Sequence, residues 1–320
     1  MQIWQRLLLK LQLLNMSKTI DTLTTDIARL FGQTVIGTSH TFDIDKLATF
    51  GVNVAQHMQN AVTARTGKRK PNTLYMSEIG TPCMRQLWFK VFHPDCAETM
   101  QPATLFKFAY GNMLEEAALL LAAEAGHKVE DQQRFVSMPL PSGYTIRGRI
   151  DAKIDGVLVD VKSCSPYGFN KFKDGLTDEN DSFGYRYQLS TYSCAMDEPD
   201  LKQGFLAVDK QNGHIAYFKD DYTSITGKLA DVNDMLVDGP AVAPPRGFEL
   251  TTLDNGNKKL CVECSYCPFK GQCWKDANDG HGLRAYYYSN GPVFLGTVHK
   301  EPRVTYSTVP IYGSIECSTS

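Results

Sequence analysis

Residues 144–163 read YTIRGRIDAKIDGVLVDVKS. Apolar and polar residues alternate on both sides of Asp155-Gly156, a dipeptide typical of the two-residue turn of a β-hairpin. The stretch therefore predicts two antiparallel strands joined by a tight turn. With these two residues as the turn, Ile154 pairs with Val157, and Asp151 falls directly opposite Asp160.

The facing aspartates predict a metal site. Directly opposed side chains have Cβ atoms about 4.5 to 5.5 Å apart, where like charges repel each other unless something neutralises them. A divalent cation would do so, and carboxylate oxygens suit Mg²⁺ or Mn²⁺. Lys162 lies two residues after Asp160 and shares its face, because side chains alternate along a strand. The opposite face is expected to enter the core with its apolar residues, Ile150, Ile154, Val157, Val159 and Val161. The ordinary alternative is a surface hairpin whose aspartates are neutralised by nearby cations, Arg147, Arg149, Lys153 and Lys162.

Helices are expected on both flanks of the hairpin. Residues 103–125 are rich in strong helix formers, carry Glu115 and Glu116, and precede a glycine suited to a helix end. Residues 185–196 predict a second helix, on which Gln188 and Tyr192 share a face. Residues 17–66 have helical apolar spacing, and a second hairpin is expected around residues 211–213.

Four elements in a fixed order carry a family resemblance. They are Gly111-Asn112-Met113-Leu114-Glu115, Gly148-Arg149-Ile150-Asp151, Asp160-Val161-Lys162 and Gln188-x-x-x-Tyr192. This order resembles the PD-(D/E)XK nuclease superfamily, in particular its RecB-like exonucleases, over roughly residues 77–275.

The resemblance implies a role for each matching residue. Asp151 and Asp160 would be metal ligands, joined by the backbone carbonyl of Val161. Lys162 would orient or activate the attacking water and stabilise charge on phosphorus. Gln188 and Tyr192 would position this lysine and the DNA backbone. Many relatives have His on the upstream helix where this chain has Glu115, so Glu115 or Glu116 would be the ligand there.

Closely spaced cysteines predict a second metal site. Cys261, Cys264, Cys267 and Cys273 form C-x2-C-x2-C-x5-C, and the odd total of nine cysteines argues against a disulfide framework. The pattern, with Cys83 upstream, resembles iron-sulfur RecB-like nucleases, which include the AddB nuclease domain and CRISPR-associated RecB-like exonucleases. The resemblance implies a structural [4Fe-4S] cluster on Cys83, Cys264, Cys267 and Cys273. The alternative is a local site of the four downstream cysteines, holding zinc or a cluster without Cys83.

Composition limits the classes of function. The 320 residues carry 33 Lys and Arg against 35 Asp and Glu, a net charge of −2, which argues against a protein that coats nucleic acid non-specifically. A polyanion partner must therefore bind a local basic patch. The run Arg65, Lys68, Arg69 and Lys70 is a candidate for this patch, and the alternative is that the run is only a solvated loop.

No apolar run is long enough to predict a transmembrane helix, and we expect a cytoplasmic protein, in the host cytoplasm if it is viral. Residues 1–15 lack a cleavage site and are interpreted as an upstream-start artefact or an amphipathic arm.

The sequence thus predicts an α/β fold with a restriction-endonuclease-like (PD-(D/E)XK) core. We expect a helical region at residues 1–76, a RecB-like nuclease core closed by the cysteines at 77–282, and a flap or tail at 283–320. The expected activity is that of a Mg²⁺- or Mn²⁺-dependent DNA exonuclease acting on single-stranded DNA or DNA ends. We expect it to act in DNA recombination, repair or processing, with a recombination or replication protein as a further partner. The strand would be guided by Arg69, Arg147 and Arg149 and stacked by Tyr185, Tyr187 or Trp88. The alternatives are a structure-selective endonuclease of the same superfamily and a non-catalytic, metal-stapled nucleic-acid-binding protein.

Overall fold

The computed structural model describes residues 18–35, 37, 39–63, 69–198 and 200–313. These residues form a mixed α/β fold, as predicted from the sequence. The helices are α1 (Leu23–Val35), α2 (Ile44–Val62), α3 (Met76–Ile79), α4 (Met84–Phe92), α5 (Pro102–Glu124), α6 (Pro166–Asp174), α7 (Tyr185–Met196), α8 (Thr226–Asp238), α9 (Val262–Ser265), α10 (Lys270–Cys273) and α11 (Ala277–Gly280). The strands are β1 (Thr73–Tyr75), β2 (Val129–Glu130), β3 (Phe135–Pro139), β4 (Thr145–Arg149), β5 (Ala152–Ile154), β6 (Val157–Cys164), β7 (Gln203–Asp209), β8 (Ile215–Asp220), β9 (Thr251–Thr252), β10 (Lys258–Lys259), β11 (Arg284–Tyr288), β12 (Gly291–Thr297) and β13 (Tyr306–Thr308).

The central sheet has the strand order β2-β5-β6-β7-β8. Its strands β5 and β6 form the predicted hairpin, and Ile154 pairs with Val157 as the turn requires. Strands β6 and β7 are parallel, so the chain must cross over between them, and it does so through α6 and α7. The second predicted hairpin is also confirmed, as the antiparallel pair β7 and β8.

The sheet is covered on both faces. On one face, the valines of β6 pack with α1 and α5 in a core that includes Leu23, Leu119 and Val159. On the other face, Leu158 and Phe205 pack with α7 and α4 in a larger core. The flanking helices therefore fix the position of β6 from both sides, which holds its end in place.

The prediction that the hairpin continues beyond Asp151 is wrong. Strand β4 does not continue the ladder beside β6 but pairs with β1 and β3 in a separate three-stranded sheet, of order β1-β4-β3. The chain bends at Ile150 and Asp151, between β4 and β5. Ile150 consequently lies with Leu158 in the larger core, rather than beside Val157, Val159 and Val161 as expected.

The helix predictions agree with the structure. Helix α5 spans Pro102–Glu124 and is followed by Gly126 in a left-handed conformation, with φ of +86°. Helix α7 coincides with the predicted stretch of residues 185–196. The predicted N-terminal helical spacing corresponds to α1 and α2, whereas residues 1–15 lie outside the described residues.

Residues after 250 form a third sheet, of order β13-β11-β12-β10-β9. This sheet packs on the cysteine-bearing segment through Leu260, Trp274 and Leu283. The predicted boundary after residue 282 falls between β10 and β11 of this one sheet, and the three-region division stays a prediction. Within the described ranges, no helix is long and apolar enough to cross a membrane.

Candidate metal and nuclease site

The turn of the central hairpin brings Asp151 next to Asp160. Asp155 and Gly156 have φ values of +51° and +79°, the left-handed backbone that a two-residue turn of this kind requires. The register places Asp151 opposite Asp160, just outside β5. The Asp151 carboxylate accepts a hydrogen bond from the backbone N–H of Val161, over 2.7 Å, and is thereby fixed against the middle of β6.

Asp160 is buried and Asp151 is half-buried, and their pKa values reflect this desolvation. Burial and the nearby charge of Asp160 raise the pKa of Asp151 to about 7. Burial also raises the pKa of Asp160, although Lys162 opposes the shift. Two acids held together out of water resist ionisation, and a bound cation would reverse that effect.

Lys162 neutralises part of this charge. Its Nζ lies 2.5 Å from Oδ2 of Asp160, and it also lies 4.8 Å from the centre of the Tyr185 ring. Burial alone would lower the pKa of Lys162, but the carboxylates of Asp160 and Asp151 raise it above its ordinary value. The lysine is therefore a cation at neutral pH, suited to stabilising negative charge rather than to accepting a proton.

The two glutamates of α5 have different surroundings. Glu115 accepts a hydrogen bond from Gln133 over 2.9 Å, and burial together with the charges of Asp151 and Asp160 raises its pKa to about 9. Glu116 instead accepts hydrogen bonds from α2 and from the segment before β3, and its partners are Asn53, His57 and Gln132. Glu115 is thus the glutamate beside the aspartate pair, whereas Glu116 is held in a structural network.

Helix α7 contributes the two residues that the sequence placed on one face. Gln188 Nε2 lies 3.5 Å from Oδ1 of Asp160, at the long limit of a hydrogen bond. The buried Tyr192 is hydrogen-bonded to Gln188, and burial raises the pKa of its phenol. Gly148 allows this arrangement, since a Cβ atom there would lie 2.7 Å from the Tyr192 ring.

The carboxylates fit a hard cation by their chemistry. In the described part of the chain, no three His, Cys, Asp or Glu side chains gather closely enough to form a ready-made ion site. Asp160 Oδ2 is buried and accepts no well-directed hydrogen bond, despite its short contact with Lys162. Asp151 and Asp160 raise the pKa of Glu115, and Asp160 raises the pKa of Asp151. A bound cation would accept the oxygens of all three residues as ligands and would stabilise their carboxylate forms.

Four cysteines line one small cavity of about 20 Å³ beside aromatic rings. They are Cys83, Cys264, Cys267 and Cys273. Burial and the neighbouring cysteines raise the pKa of Cys264, and burial is also the main cause that raises the pKa of Cys267 to about 12. Thiols are the ligands that iron-sulfur clusters and structural zinc take, although these four are not gathered as a ready-made ion site.

The other cysteines lie elsewhere. Cys261 is hydrogen-bonded to Cys264 but does not line the cavity. Cys96 is buried, Cys164 is half-buried and Cys194 is exposed, whereas Cys317 lies outside the described residues. The choice between Cys83 and Cys261 as a ligand stays a prediction.

Several residues expected to contact DNA have other roles. Trp88 is 1% exposed and donates a hydrogen bond to the carbonyl of Gly239, so it is a core residue and its predicted stacking role is wrong. Arg69 is paired with Glu78, and Arg149 donates to the carbonyl of Gln133. Arg65 and Lys68 lie outside the described residues, and Tyr187 is half-buried.

Sequence reasoning missed the residues that form a cavity beside Lys162. This cavity of about 390 Å³ is lined by three further cations, Lys107, Lys171 and Lys210. They come from distant parts of the chain and have no common spacing. Tyr266 also lines the cavity, and the only signal in the sequence is its place between two cysteines.

Comparisons with protein-family models and with curated proteins find no match. Among solved structures, the chain is similar to the crystal structure of SSO0001, with 15% identity and a TM-score of 0.43 over 68% of this chain and 92% of that chain. It is also similar to an alkaline exonuclease, LHK-Exo, from Laribacter hongkongensis, with 15% identity and a TM-score of 0.35 over 52% of this chain and 87% of that chain. Likenesses this distant have no bearing on the activity of this chain.

Proposed function

We propose that this protein is a metal-dependent deoxyribonuclease that hydrolyses phosphodiester bonds as an exonuclease, on single-stranded DNA or DNA ends. The observation that carries the proposal is the group formed by the buried Asp160, the half-buried Glu115 and Asp151, and Lys162 in contact with Asp160. Acids brought together in this way and a buried cation beside them are features of a reaction centre more than of a structural ion pair. The resemblance of the four sequence elements to RecB-like exonucleases points to the same chemistry.

Each residue has a role that follows from its contacts. Asp151, Asp160 and Glu115 would hold Mg²⁺ or Mn²⁺, together with the carbonyl of Val161. When bound, such an ion supplies polarisation of a phosphoryl oxygen and a lowered pKa for water. Lys162 stabilises the negative charge that develops on the oxygens around phosphorus. Gln188 orients Asp160, and the fixed phenol of Tyr192 orients Gln188.

Digestion of labelled DNA tests the activity. Linear single-stranded, linear duplex and circular single-stranded DNA are incubated with the protein and Mn²⁺ or Mg²⁺. We expect linear DNA to be shortened from its ends and the circle to stay intact. Asp160→Ala should abolish digestion, and Asp221→Ala, a matched change at an exposed aspartate, should not. Cleavage of the circle would favour an endonuclease, and no digestion by the wild type would contradict the proposal.

We also propose that Cys83, Cys264, Cys267 and Cys273 hold a [4Fe-4S] cluster with a structural role. The lining of one cavity by these four thiols supports this set, and a hydrolysis reaction needs no electron transfer. Cys83 precedes α4, whereas the others follow β10, so the cluster would close a loop of well over 150 residues. Anaerobically purified protein should be brown, with a broad absorption near roughly 400 nm. A colourless protein containing zinc would contradict the proposal of iron.

A further inference from the structure

Two cavities adjoin next to the proposed reaction centre. The first, of about 390 Å³, reaches Lys162, and the second, of about 310 Å³, reaches Gln188. Both are lined by the same three aromatic residues, Phe183, Tyr185 and Tyr266. Because the cavities share this lining, they are neighbours along these rings, and together they are the depression beside the reaction centre. Each is large enough for a nucleotide-sized ligand.

The first cavity is strongly basic in a chain that is acidic overall. Its cations are Lys107, Lys162, Lys171 and Lys210, and Asp181 is its acidic residue. Lys171 donates a hydrogen bond to the carbonyl of Asn180 over 2.8 Å and lies over the Tyr167 ring, which leaves further N–H donors of its ammonium group. Lys107 and Lys210 are exposed to solvent. Lys107 and Lys210 are therefore available for the phosphates of a polyanion, whose counterions they would displace, and Lys171 can add a contact with its remaining N–H donors.

Exposed aromatic rings stand beside these cations. Tyr266 is 77% exposed, Tyr167 is 74% exposed and Phe183 is 57% exposed. Phe183 also stacks on Tyr185, with 5.5 Å between the ring centres, and Tyr185 in turn contacts Lys162. Exposed rings beside a basic cavity match the way in which proteins bind single strands, with bases stacked on aromatic side chains and phosphates contacting cations.

The cysteine-bearing segment forms one wall of this depression. Tyr266 lies between Cys264 and Cys267, and Val262 and Glu263 of α9 line the second cavity. Cys264 and Cys267 point into their own small cavity with Cys83, while Tyr266 of the same short segment is exposed toward the two larger cavities. Whatever fixes the cysteines therefore fixes the position of Tyr266.

We propose that the two cavities form a groove for an unpaired nucleic-acid strand, with the cysteine-bearing segment, residues 261–267, as one wall and Tyr266 as a stacking platform. Tyr167 and Phe183 stack on further bases, and Lys107, Lys171 and Lys210 contact the phosphates. This groove rests on the proposed function in that it delivers the strand to Lys162. It adds to that function a preference for unpaired strands and a second role for the cysteines, which is to hold the groove in shape.

Binding measured without cleavage tests the groove. Fluorescence anisotropy follows a labelled oligothymidylate as the full-length protein is added, in buffer without divalent cations. We expect Tyr266→Ala to weaken binding about 5-fold to 100-fold, as loss of one stacking contact does, and Tyr266→Phe to retain it. Tyr222→Ala, at a tyrosine that is 53% exposed and lines neither cavity, is the matched control and should bind like wild type. Lys210→Ala should reduce the slope of log affinity against log salt by about 0.7, while Lys219→Ala should not.

The outcomes separate this inference from the proposed function. If Tyr266→Ala and Tyr167→Ala both bind the oligonucleotide like wild type, or if a blunt duplex binds as tightly as the single strand, the groove is wrong, even where wild type digests DNA. If wild type digests no DNA but both variants lose binding, the groove stands and the nuclease proposal fails. Tyr167 lies on α6, so its variant stays informative where Tyr266→Ala does not fold. Cys83→Ser, which should lose the cluster, should weaken binding of the oligonucleotide as well. Unchanged binding would exclude the proposed role of the cysteines in holding the groove in shape.

Discussion

The ammonium nitrogen of Lys162 lies 2.5 Å from Oδ2 of Asp160, in surroundings that exclude most water. Two residues of one strand, with one residue between them, thus form an ion pair within β6. The pair holds the lysine as a cation where the opposed Asp151 would otherwise leave an excess of negative charge. The ion pair between Lys162 and Asp160 is therefore the basis for the expected effect of removing the lysine charge.

Replacement of Lys162 by methionine keeps most of the length of the side chain and removes its charge. Because the cation is proposed to stabilise charge on phosphorus, kcat should fall by about 10²-fold to 10³-fold, with little change in KM for DNA. Steady-state digestion of a labelled single strand with Mn²⁺ measures both constants. Lys219→Met, at a lysine whose side chain is 70% exposed, is the matched control. A folded Lys162→Met protein with wild-type kcat would exclude the proposed role.

Glu115 and Glu116 are neighbours with opposite expected phenotypes. Glu115→Gln removes a carboxylate beside Asp151 and Asp160, so digestion should be lost while metal-free stability is kept or increased. Glu116→Gln disturbs three hydrogen bonds in a buried network, and the free energy of unfolding should fall by about 1–3 kcal/mol with digestion retained. Urea unfolding and digestion of both variants measure the contrast. The reverse pattern would make Glu116 the ligand.

The metal-free protein should lose stability as the pH rises. Folding raises the pKa of Asp151 from 3.8 to about 7 and that of Glu115 from 4.5 to about 9. Each acid holds its proton more tightly in the folded state, so its contribution is complete below the unfolded pKa and disappears as the pH passes through the folded pKa. Urea unfolding between about pH 4 and about pH 9 should therefore show a declining free energy, and Asp151→Asn should reduce the decline. A flat profile in the wild type would argue against the buried acids.

The sequence predicted the hairpin turn because Asp155-Gly156 accepts the left-handed backbone that few other dipeptides accept. It predicted the facing aspartates for the same reason, since a turn of fixed length fixes the register. It did not predict the departure of β4 into another sheet. Ile146 and Ile150 are both fully buried, and the alternation of apolar and polar residues is the same whether the strand pairs with β6 or with another sheet. No turn residue between Arg149 and Ala152 marks the bend.

The basic cavity lay beyond sequence reasoning for a different reason. Lys107, Lys171 and Lys210 belong to α5, α6 and the loop after β7, and only the parallel pairing of β6 with β7 and the crossover bring them together. Trp88 illustrates the opposite error, in which a residue type suited to stacking is buried among Phe89 and Phe92. Residue type predicts which chemistry is available, whereas exposure depends on the tertiary fold.

Gly148 is expected to be intolerant of any side chain. A Cβ atom there would lie 2.5 Å from the Met76 side chain and 2.7 Å from the Tyr192 ring, so β4 and α7 must move apart. Gly148→Ala should lower the free energy of unfolding by about 1–3 kcal/mol, as overpacking does, and should also reduce digestion because Tyr192 supports Gln188. Gly51→Ala, where no atom lies within 4 Å of the added carbon, should be neutral or stabilising. Equal stability of the two variants would contradict the packing argument.

The two candidate cysteines are distinguished by a matched pair of variants. Cys83 lines the small cavity with Cys264, Cys267 and Cys273, whereas Cys261 lies outside it. Cys83→Ser should therefore lose most of the bound iron and lower the melting temperature, because a link between distant parts of the chain is broken. Cys261→Ser should retain both iron and stability. Iron analysis, sulfide analysis and thermal melting of anaerobically purified protein measure the difference. Iron retained in Cys83→Ser but lost in Cys261→Ser would assign the metal to the four downstream cysteines, and the cavity would then be a packing feature of the core.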